Sequence, residues 1–367
     1  MAKIMIVATV DQHIRHFHLP LIKALIQRGH EVYIASNGKE VFDGVTQKYH
    51  LPFQRNPFHF DNIRAYKNLK KIIENGNFDV IHVNTPVGSV VGRLAAKKSR
   101  KNGLKVIYTA HGFHFFKGAP KKNWVLFYPV EKFLMRYTDV LITINSEDFH
   151  IARKMASNNS NVLIKKTNGV GVNLSWEKLS DYEIEGLKKQ YKLQNSKIIT
   201  CVAEISNRKN QIELINAFAK IKNKELINLK LLLIGDGGLK DSLETLVNDM
   251  DLSGQIIFTG YRPDVNGFLQ ISDVLVSSSK QEGLPVNIIE AMIHGLPIVA
   301  SRIRGHVDLL SEYSNGELYE LGNLDSLINA INQSLMKDKK KYDLSKYSTE
   351  AVTMQILEVY SFLNETN

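Results

Sequence analysis

What this chain lacks narrows it first. Its 367 residues contain one cysteine, Cys201. A lone thiol closes no internal disulfide, so a disulfide-stapled secreted scaffold is excluded and a reducing compartment fits. Cys201 sits in the apolar run IITCVAEI, where a small core residue is expected. No apolar run approaches the ~20 residues that span a bilayer. The N-terminal run IMIVATV is only strand-length and is followed by Asp11, His13 and Arg15, unlike the apolar core of a signal peptide. A cytoplasmic protein is therefore expected. There is no G-x-x-x-x-G-K-[ST] phosphate loop, no Cys/His group at zinc spacing, and no D-x-D placed to hold a divalent metal beside a diphosphate. Internal repeats and low-complexity tracts are also missing.

What is present is a strong charge asymmetry. The net charge of +10 is carried by residues 1–167, with 26 Lys and Arg against 11 Asp and Glu; residues 168–367 are net acidic. Such a split points one half toward something anionic: nucleic acid, a membrane surface or a phosphorylated substrate. The length calls for two domains.

Hydrophobic patterning agrees. In the first half KIMIVATV, EVYIAS, FDVIHVN, KVIYTAH and DVLITIN read as strands. Between them HLPLIKALIQRGH, NIRAYKNLKKIIENG and SVVGRLAAKKSRKNG show helical spacing and glycine stops. This alternation makes βαβ units and a parallel sheet. The pattern resets after NVLIKKTNGVGVNLSW, with the boundary expected near residues 168–190, and KIITCVAEI starts a second such series. A last helix is expected over roughly residues 348–364, capped by Ser348 or Thr349. Two open parallel sheets put ligands at the carboxyl ends of their strands, and the natural site is between the domains.

Several stretches lie at those ends. EGLPVNIIEAMIHGLP, residues 282–297, follows the strand DVLVSSS. Pro285 suits a first helical turn, and the helix is expected to run to Ile293 and stop at Gly295. Its free N–H groups form an anion site, with Glu282 just before it and Glu290 inside it as acceptors for hydroxyls. The alternative is a glutamate balancing the helix dipole and a solvated Glu290. EISNRKNQ places Arg208 and Lys209 after the strand IITCVA, where they either hold a diphosphate without a metal or stay solvated. In FTGYRPDV, Tyr261 and Arg262 either frame a base or cover the surface. GDGGLK at Gly235 is a weak dinucleotide fingerprint and an ordinary tight turn, whose glycines permit close approach to the backbone. HIRHFH, from His13 to His18, reads as a loop binding an anion or hydroxyls; a metal site and a ligand-free helical turn stay open.

RGHEVYIAS, FDVIHVNTP, TAHG, NGVGVN, LLLIGDG, FTGYRPDV and EGLPVNIIEAMIHGLPIVAS occur in that order along almost the whole chain. In this the chain resembles the family 4 glycosyltransferases, retaining nucleotide-sugar enzymes, and TVDQHIRHFHLPLIKAL and HGFHFF…FYPVEKFL look closest to the exopolysaccharide and capsule branch. The resemblance implies a GT-B fold: α/β, two doubly wound parallel-sheet, Rossmann-like domains facing across a cleft. The expected divisions are an acceptor domain over residues 1–170, a nucleotide-sugar domain over 171–347, and a helix over 348–367 packing back on the first domain. It implies that Glu282 meets the donor sugar, that Glu290 holds the ribose hydroxyls, and that the backbone at Leu284, Val286 and Asn287 meets sugar and phosphates. It further implies that Lys209 neutralises the diphosphate and that His111 contacts the sugar near the reacting carbon. Arg208, Gly235, Tyr261 and Arg262 complete the expected donor site, and His13, Arg15 and His16 the acceptor site.

Two departures stand out. The family's usual phosphate arginine, five residues before Lys209, is Glu204, and QHIRHF replaces the common Gly-Gly of the first loop. The expected reaction is retaining transfer of a hexose or N-acetylhexosamine from a UDP-sugar to a lipid-diphosphate-linked saccharide. No metal or other cofactor is expected, and no nucleic acid. A GT-B epimerase or phosphorylase and a non-catalytic nucleotide-sugar sensor are the alternatives.

KKNWVLFYPVEKFLMRY interleaves basic and aromatic residues, which suits an anionic membrane surface; its alternative is packing against the chain's own sheet. Peripheral attachment to the inner face of the plasma membrane is therefore expected. Sedimentation with anionic vesicles at low salt checks this: protein is expected in the pellet, and protein left in the supernatant refutes it.

Overall fold

A computed structural model describes residues 1–156, 161–221 and 228–365. The chain divides into two compact units, Met1–Gly171 with Tyr347–Asn367, and Val172–Lys346.

The first unit is built on seven parallel strands: β1 (Lys3–Val10), β2 (Glu31–Asn37), β3 (Gln47–His50), β4 (Val80–Asn84), β5 (Lys105–Ala110), β6 (Val140–Thr143) and β7 (Leu163–Lys166). Their order is β3-β2-β1-β4-β5-β6-β7. Ile4 of β1 lies in register with Val32 of β2 and Val80 of β4. Six consecutive residues of β1 are buried, as expected for a parallel strand covered on both faces. Successive side chains alternate between those faces. Met5 and Val7 pack with Ala65 and Leu69 of the helix Asp61–Gly76 and with Val87 and Val91 of the helix Pro86–Ala96. Ile4 and Ile6 pack with Leu21 and Leu25 of the helix Leu19–Gln27 and with Leu357 and Tyr360 of the helix Thr349–Glu365.

That last helix returns to the first unit after the chain has built the second. Its anchor is polar. His82, wholly buried on β4, has its Nδ1 2.8 Å from the Tyr360 hydroxyl and its Nε2 2.7 Å from Thr109 Oγ1. The Gln355 side chain accepts from the Asn168 N–H at 3.0 Å.

The second unit has six parallel strands: β8 (Lys197–Val202), β9 (Leu229–Ile234), β10 (Ile256–Gly260), β11 (Val274–Ser277), β12 (Ile298–Ser301) and β13 (Gly316–Tyr319), ordered β10-β9-β8-β11-β12-β13. Cys201 is buried on β8 among Leu214, Phe218 and Leu233. Burial pushes its thiol up to about 12, so it is a core residue and not a nucleophile.

Three features differ from the sequence reading. Strand β3 went unseen because QKYH is polar and only half-buried at a sheet edge. Strand β13 went unseen because GELY is four residues long and largely half-buried. The expected loop at HIRHFH is a helix, Asp11–Phe17. Its first residue explains the early start. Asp11 is buried, and its carboxylate accepts from the Ser36 hydroxyl, the Glu40 N–H and Lys48 Nζ, fixing the chain where it leaves β1. Among the described residues no helix is long and apolar enough to cross a membrane.

Tyr360→Phe removes the partner of a buried imidazole nitrogen and is expected to cost about 1–3 kcal/mol. With Trp176→Phe, Trp124 reports on the first unit alone. Its fluorescence should shift to a lower urea midpoint at unchanged slope. An unchanged midpoint would show that the hydroxyl does not hold the helix.

Candidate functional site

In the second unit the loops after β8, β9, β10, β11 and β12 all leave from one edge of the sheet, because all the strands run the same way. The loop after β8 carries Arg208 and Lys209; the loop after β11 carries Glu282. Main-chain links hold the two together. Lys280 N–H donates to the Arg208 carbonyl at 2.8 Å, and Ser278 Oγ donates to the carbonyls of Lys209 and Asn210 at 3.0 Å each.

The side chains then meet. Lys209 Nζ lies 2.6 Å from Glu282 Oε1, and Arg208 Nη1 lies 3.3 Å from Oε2. Glu282 is only 9% exposed. Burial alone pushes its carboxyl up; the Lys209 and Arg208 charges and hydrogen bonds from Lys209 and Ser279 outweigh it and hold the carboxyl below the usual range. It is therefore a buried, ionised acceptor. Its own backbone is fixed by Arg304, buried, whose Nε donates to the Glu282 carbonyl at 3.0 Å. A Cβ on the next residue, Gly305, would fall 2.4 Å from the Gly283 carbonyl oxygen, so this approach demands glycine.

Three residues on, the helix Val286–Ile293 begins with Pro285 at its N-cap and no side-chain cap, so its first N–H groups are not taken by a capping side chain. The observed bounds match the expected helix to one residue. Leu284 is buried. Asn287 Nδ2 donates to the Val202 carbonyl at 2.8 Å, tying the helix to the end of β8. The Asn287 side chain is thus spent on the fold, and only its backbone faces outward chemistry. Glu290 is half-buried and burial raises its pKa. Among the described residues none donates a hydrogen bond to its carboxylate.

Other expected donor residues are placed differently. Gly235, at φ +142°, is needed because a Cβ would meet the Ala203 carbonyl at 2.0 Å. The close approach its glycine permits is to the chain itself. Arg262 is held by Asp264, with Nε 2.8 Å and Nη2 2.6 Å from its two oxygens. Tyr261 is 77% exposed. Among the described residues of the second unit, no contact links Arg262 or Tyr261 to Glu282. Glu204 is exposed and 3.9 Å from Arg208.

In the first unit His111 follows β5 and His13 lies in the helix after β1. Their Nε2 atoms are 3.3 Å apart. Arg15 pairs with Glu40 on the exposed side of the helix, and the His16 ring meets the Gln12 carbonyl. Of the three expected acceptor residues only His13 joins His111. Burial is the leading cause that lowers His13 to about 2 and His111 to about 3, and it also holds His18 well below the ordinary value.

The sequence reading missed Arg304, Ser279, His306 and His82, and took His18 only as the end of HIRHFH. A signal existed for the first and third: RGH lies two residues after the strand IVAS. His306 is buried between Ser277 and Ser301, with its Nδ1 2.7 Å from the Ser301 carbonyl.

Comparison with known proteins places this geometry. Residues 183–351 match the model of glycosyl transferases group 1, and residues 19–155 match that of Glycosyltransferase Family 4. EpsD of Bacillus subtilis (strain 168), named as a glycosyltransferase, is 40% identical over 333 residues, covering 90% of this chain and 87% of that protein. An Escherichia coli protein named UDP-Gal:alpha-D-GlcNAc-diphosphoundecaprenol alpha-1,3-galactosyltransferase is 29% identical, covering 74% of this chain and 70% of its own length. The crystal structure of Anabaena Alr3699/HepE in complex with UDP and glucose superposes with a TM-score of 0.77 at 19% identity, covering 98% of this chain and all of that one.

The buried histidines make stability pH-dependent. Unfolded, each titrates near 6.5; folded, His13, His18, His82 and His111 all resist protonation. Below about pH 6.5 the unfolded chain binds protons that the folded one refuses, so stability is full above that pH and falls as pH drops toward about 3. Each histidine contributes about 1.4 kcal/mol per pH unit in that window. The urea midpoint reported by Trp124 should fall steeply from pH 7 to pH 5. A flat profile would mean these rings are protonated in the folded state.

Proposed function

We propose a donor, an acceptor and a course of reaction for this chain, which belongs to the family 4 glycosyltransferases and has their GT-B architecture of two parallel-sheet α/β units. It transfers a hexose or N-acetylhexosamine from a UDP-sugar, with retention and without a metal, to a lipid-diphosphate-linked saccharide in bacterial surface polysaccharide synthesis. The observation that carries the reading is the buried Glu282 carboxylate between Lys209 and Arg208, beside the uncapped start of the helix Val286–Ile293.

The chemistry needs opposite groups side by side. The anomeric carbon joins a neutral, hydroxyl-bearing sugar to an anionic diphosphate, so acceptors for hydroxyls must adjoin donors for phosphate. Glu282 and Lys209 are such a pair at 2.6 Å. The Lys209 ammonium has three donor hydrogens, so it serves Glu282 and a diphosphate oxygen together. As the bond from the anomeric carbon to the diphosphate breaks, charge grows on the leaving oxygen. Lys209, Arg208 and the helix N–H groups stabilise it. Glu282 accepts from the sugar hydroxyls, and Glu290, an acceptor without an internal donor, takes the ribose hydroxyls. The acceptor hydroxyl enters on the face the diphosphate leaves. Neutral His111 contacts the sugar near the reacting carbon.

The relatives support the finer terms. The Escherichia coli relative is named for a UDP-sugar donor and a diphosphoundecaprenol-linked acceptor, and the Anabaena structure holds UDP and glucose. Membrane attachment is supported by the helix Lys121–Leu134. Phe127 and Tyr128 pack on the core and Glu131 pairs with Arg93, while Trp124, Val125, Leu126, Val130 and Phe133 are exposed among Lys121, Lys122 and Lys132. The helix thus combines both sequence alternatives: one side packs inward and the other presents an apolar, basic face.

Lys209→Ala and Glu282→Gln are expected to lower kcat/KM by about 10²–10³-fold while the protein still melts cooperatively. Transfer unaffected by both would refute the site. In a thermal-shift screen UDP-sugars should raise the melting temperature, and Glu290→Gln should shrink that rise. Stabilisation by sugars of another nucleotide alone would overturn the assignment of uridine.

A further inference from the structure

Four histidines crowd together in the first unit. The His13 ring centroid lies 5.1 Å from that of His18 and 4.7 Å from that of His111, and those of His18 and His111 are 5.6 Å apart. His82 stands next to His18 at 6.2 Å.

The four are not alike. His82 has both nitrogens engaged, by Tyr360 and Thr109. The other three converge: one ring nitrogen from each of His13, His18 and His111 lies within 4.8 Å of the other two. Nε2 of His18 is buried and has no hydrogen-bond partner. A dry, unpaired ring nitrogen is unfavourable unless something meets it. Nothing in the fold requires three imidazoles to gather there: aliphatic side chains would fill the space without a polar orphan.

We propose that His13, His18 and His111 form a binding site for a divalent transition-metal ion of the zinc type, with its fourth position open to water or another ligand. Bonds of about 2.0–2.1 Å in tetrahedral geometry put ligand nitrogens about 3.4 Å apart. His13 and His111 already stand at 3.3 Å. Small ring movements bring His18 to the same separation. Imidazole suits zinc, copper and nickel and ligates in its neutral form. Burial supplies that form, since all three rings resist protonation. His13 is the least buried of the three, half-buried where His18 is fully buried, and gives the ion a way in. No carboxylate belongs to the group, so the bound ion keeps its double charge and favours an anionic fourth ligand; the positive charge of Arg55 near His13 weakens the affinity.

The ion is an inhibitor in this arrangement. Where His111 contacts the donor sugar, an ion on its ring takes the sugar's place. That consequence rests on the proposed function; the metal site itself does not.

The test begins with binding. Full-length protein, stripped with EDTA, is dialysed against Zn²⁺ and its metal content measured. About one zinc per chain is expected, and Co²⁺ in its place should give the strong visible bands of a tetrahedral ion. His18→Phe and His13→Asn should each weaken retention by at least about 10-fold, with circular dichroism reporting the fold. If His18→Phe unfolds, His13→Asn, at a half-buried position, decides alone. No retained zinc, or zinc retained undiminished in the folded variants, overturns the proposal. Zinc bound through these residues without effect on sugar transfer would leave the metal site standing and remove His111 from the sugar.

Discussion

The Glu282 carboxylate cannot be buried unless Lys209 comes with it. An ionised carboxylate out of water is very costly alone, and removing one partner of such a pair costs more than the pair is worth. The fold satisfies this by fixing both backbones before the side chains meet. Ser278 and Lys280 bind the loop after β11 to the carbonyls of Arg208, Lys209 and Asn210, and Arg304 holds the Glu282 carbonyl. The 2.6 Å contact is then made by side chains with little freedom left to lose. Such pre-organisation is what a site needs to stabilise charge that appears only during reaction.

Buried polar groups are handled in two ways. In the second unit Glu282 stays charged because Lys209 and Arg208 pair with it, as Lys48 pairs with Asp11 in the first unit. In the first, His13, His18, His82 and His111 stay neutral because burial forbids the proton and no carboxylate invites it. Histidine permits this because its ordinary pKa lies so near neutrality that desolvation alone decides its state. Neutral rings both accept and donate hydrogen bonds, which suits sugar hydroxyls, and they present lone pairs, which suits a metal ion. Under the two proposals made for these rings, the same crowding would serve two ligands that exclude each other.

The parallel strands were legible because they are buried on both faces and read as apolar runs. β3 and β13, at the two sheet edges, were not, because QKYH and GELY have no such run. The helix at Pro285 was legible to one residue, since proline and Gly295 mark its ends locally. The Glu282–Lys209 contact was legible only as a shared sheet edge, because partners 73 residues apart leave no local pattern. The meeting of His18 with His111 was hidden for the same reason. His111 is brought to His18 by the order of β1, β4 and β5, and in the sequence His18 is only the last letter of HIRHFH. Arg262 is engaged by Asp264, two residues on, a pairing that FTGYRPDV carries within one short stretch.

Glu204 stands where an arginine is usual, and its placement limits the damage. Its side chain is 63% exposed, so water and salt screen it. It reaches Arg208 at 3.9 Å, while the same guanidinium reaches Glu282 at 3.3 Å through its other nitrogen. Arg208 is thus suspended between a solvated carboxylate and a buried one. The solvated contact is the weaker and is released at little cost. Lys209, 13% exposed and locked to Glu282, has no such freedom. In the proposed site the buried lysine is thus the fixed cation and the exposed arginine the adjustable one.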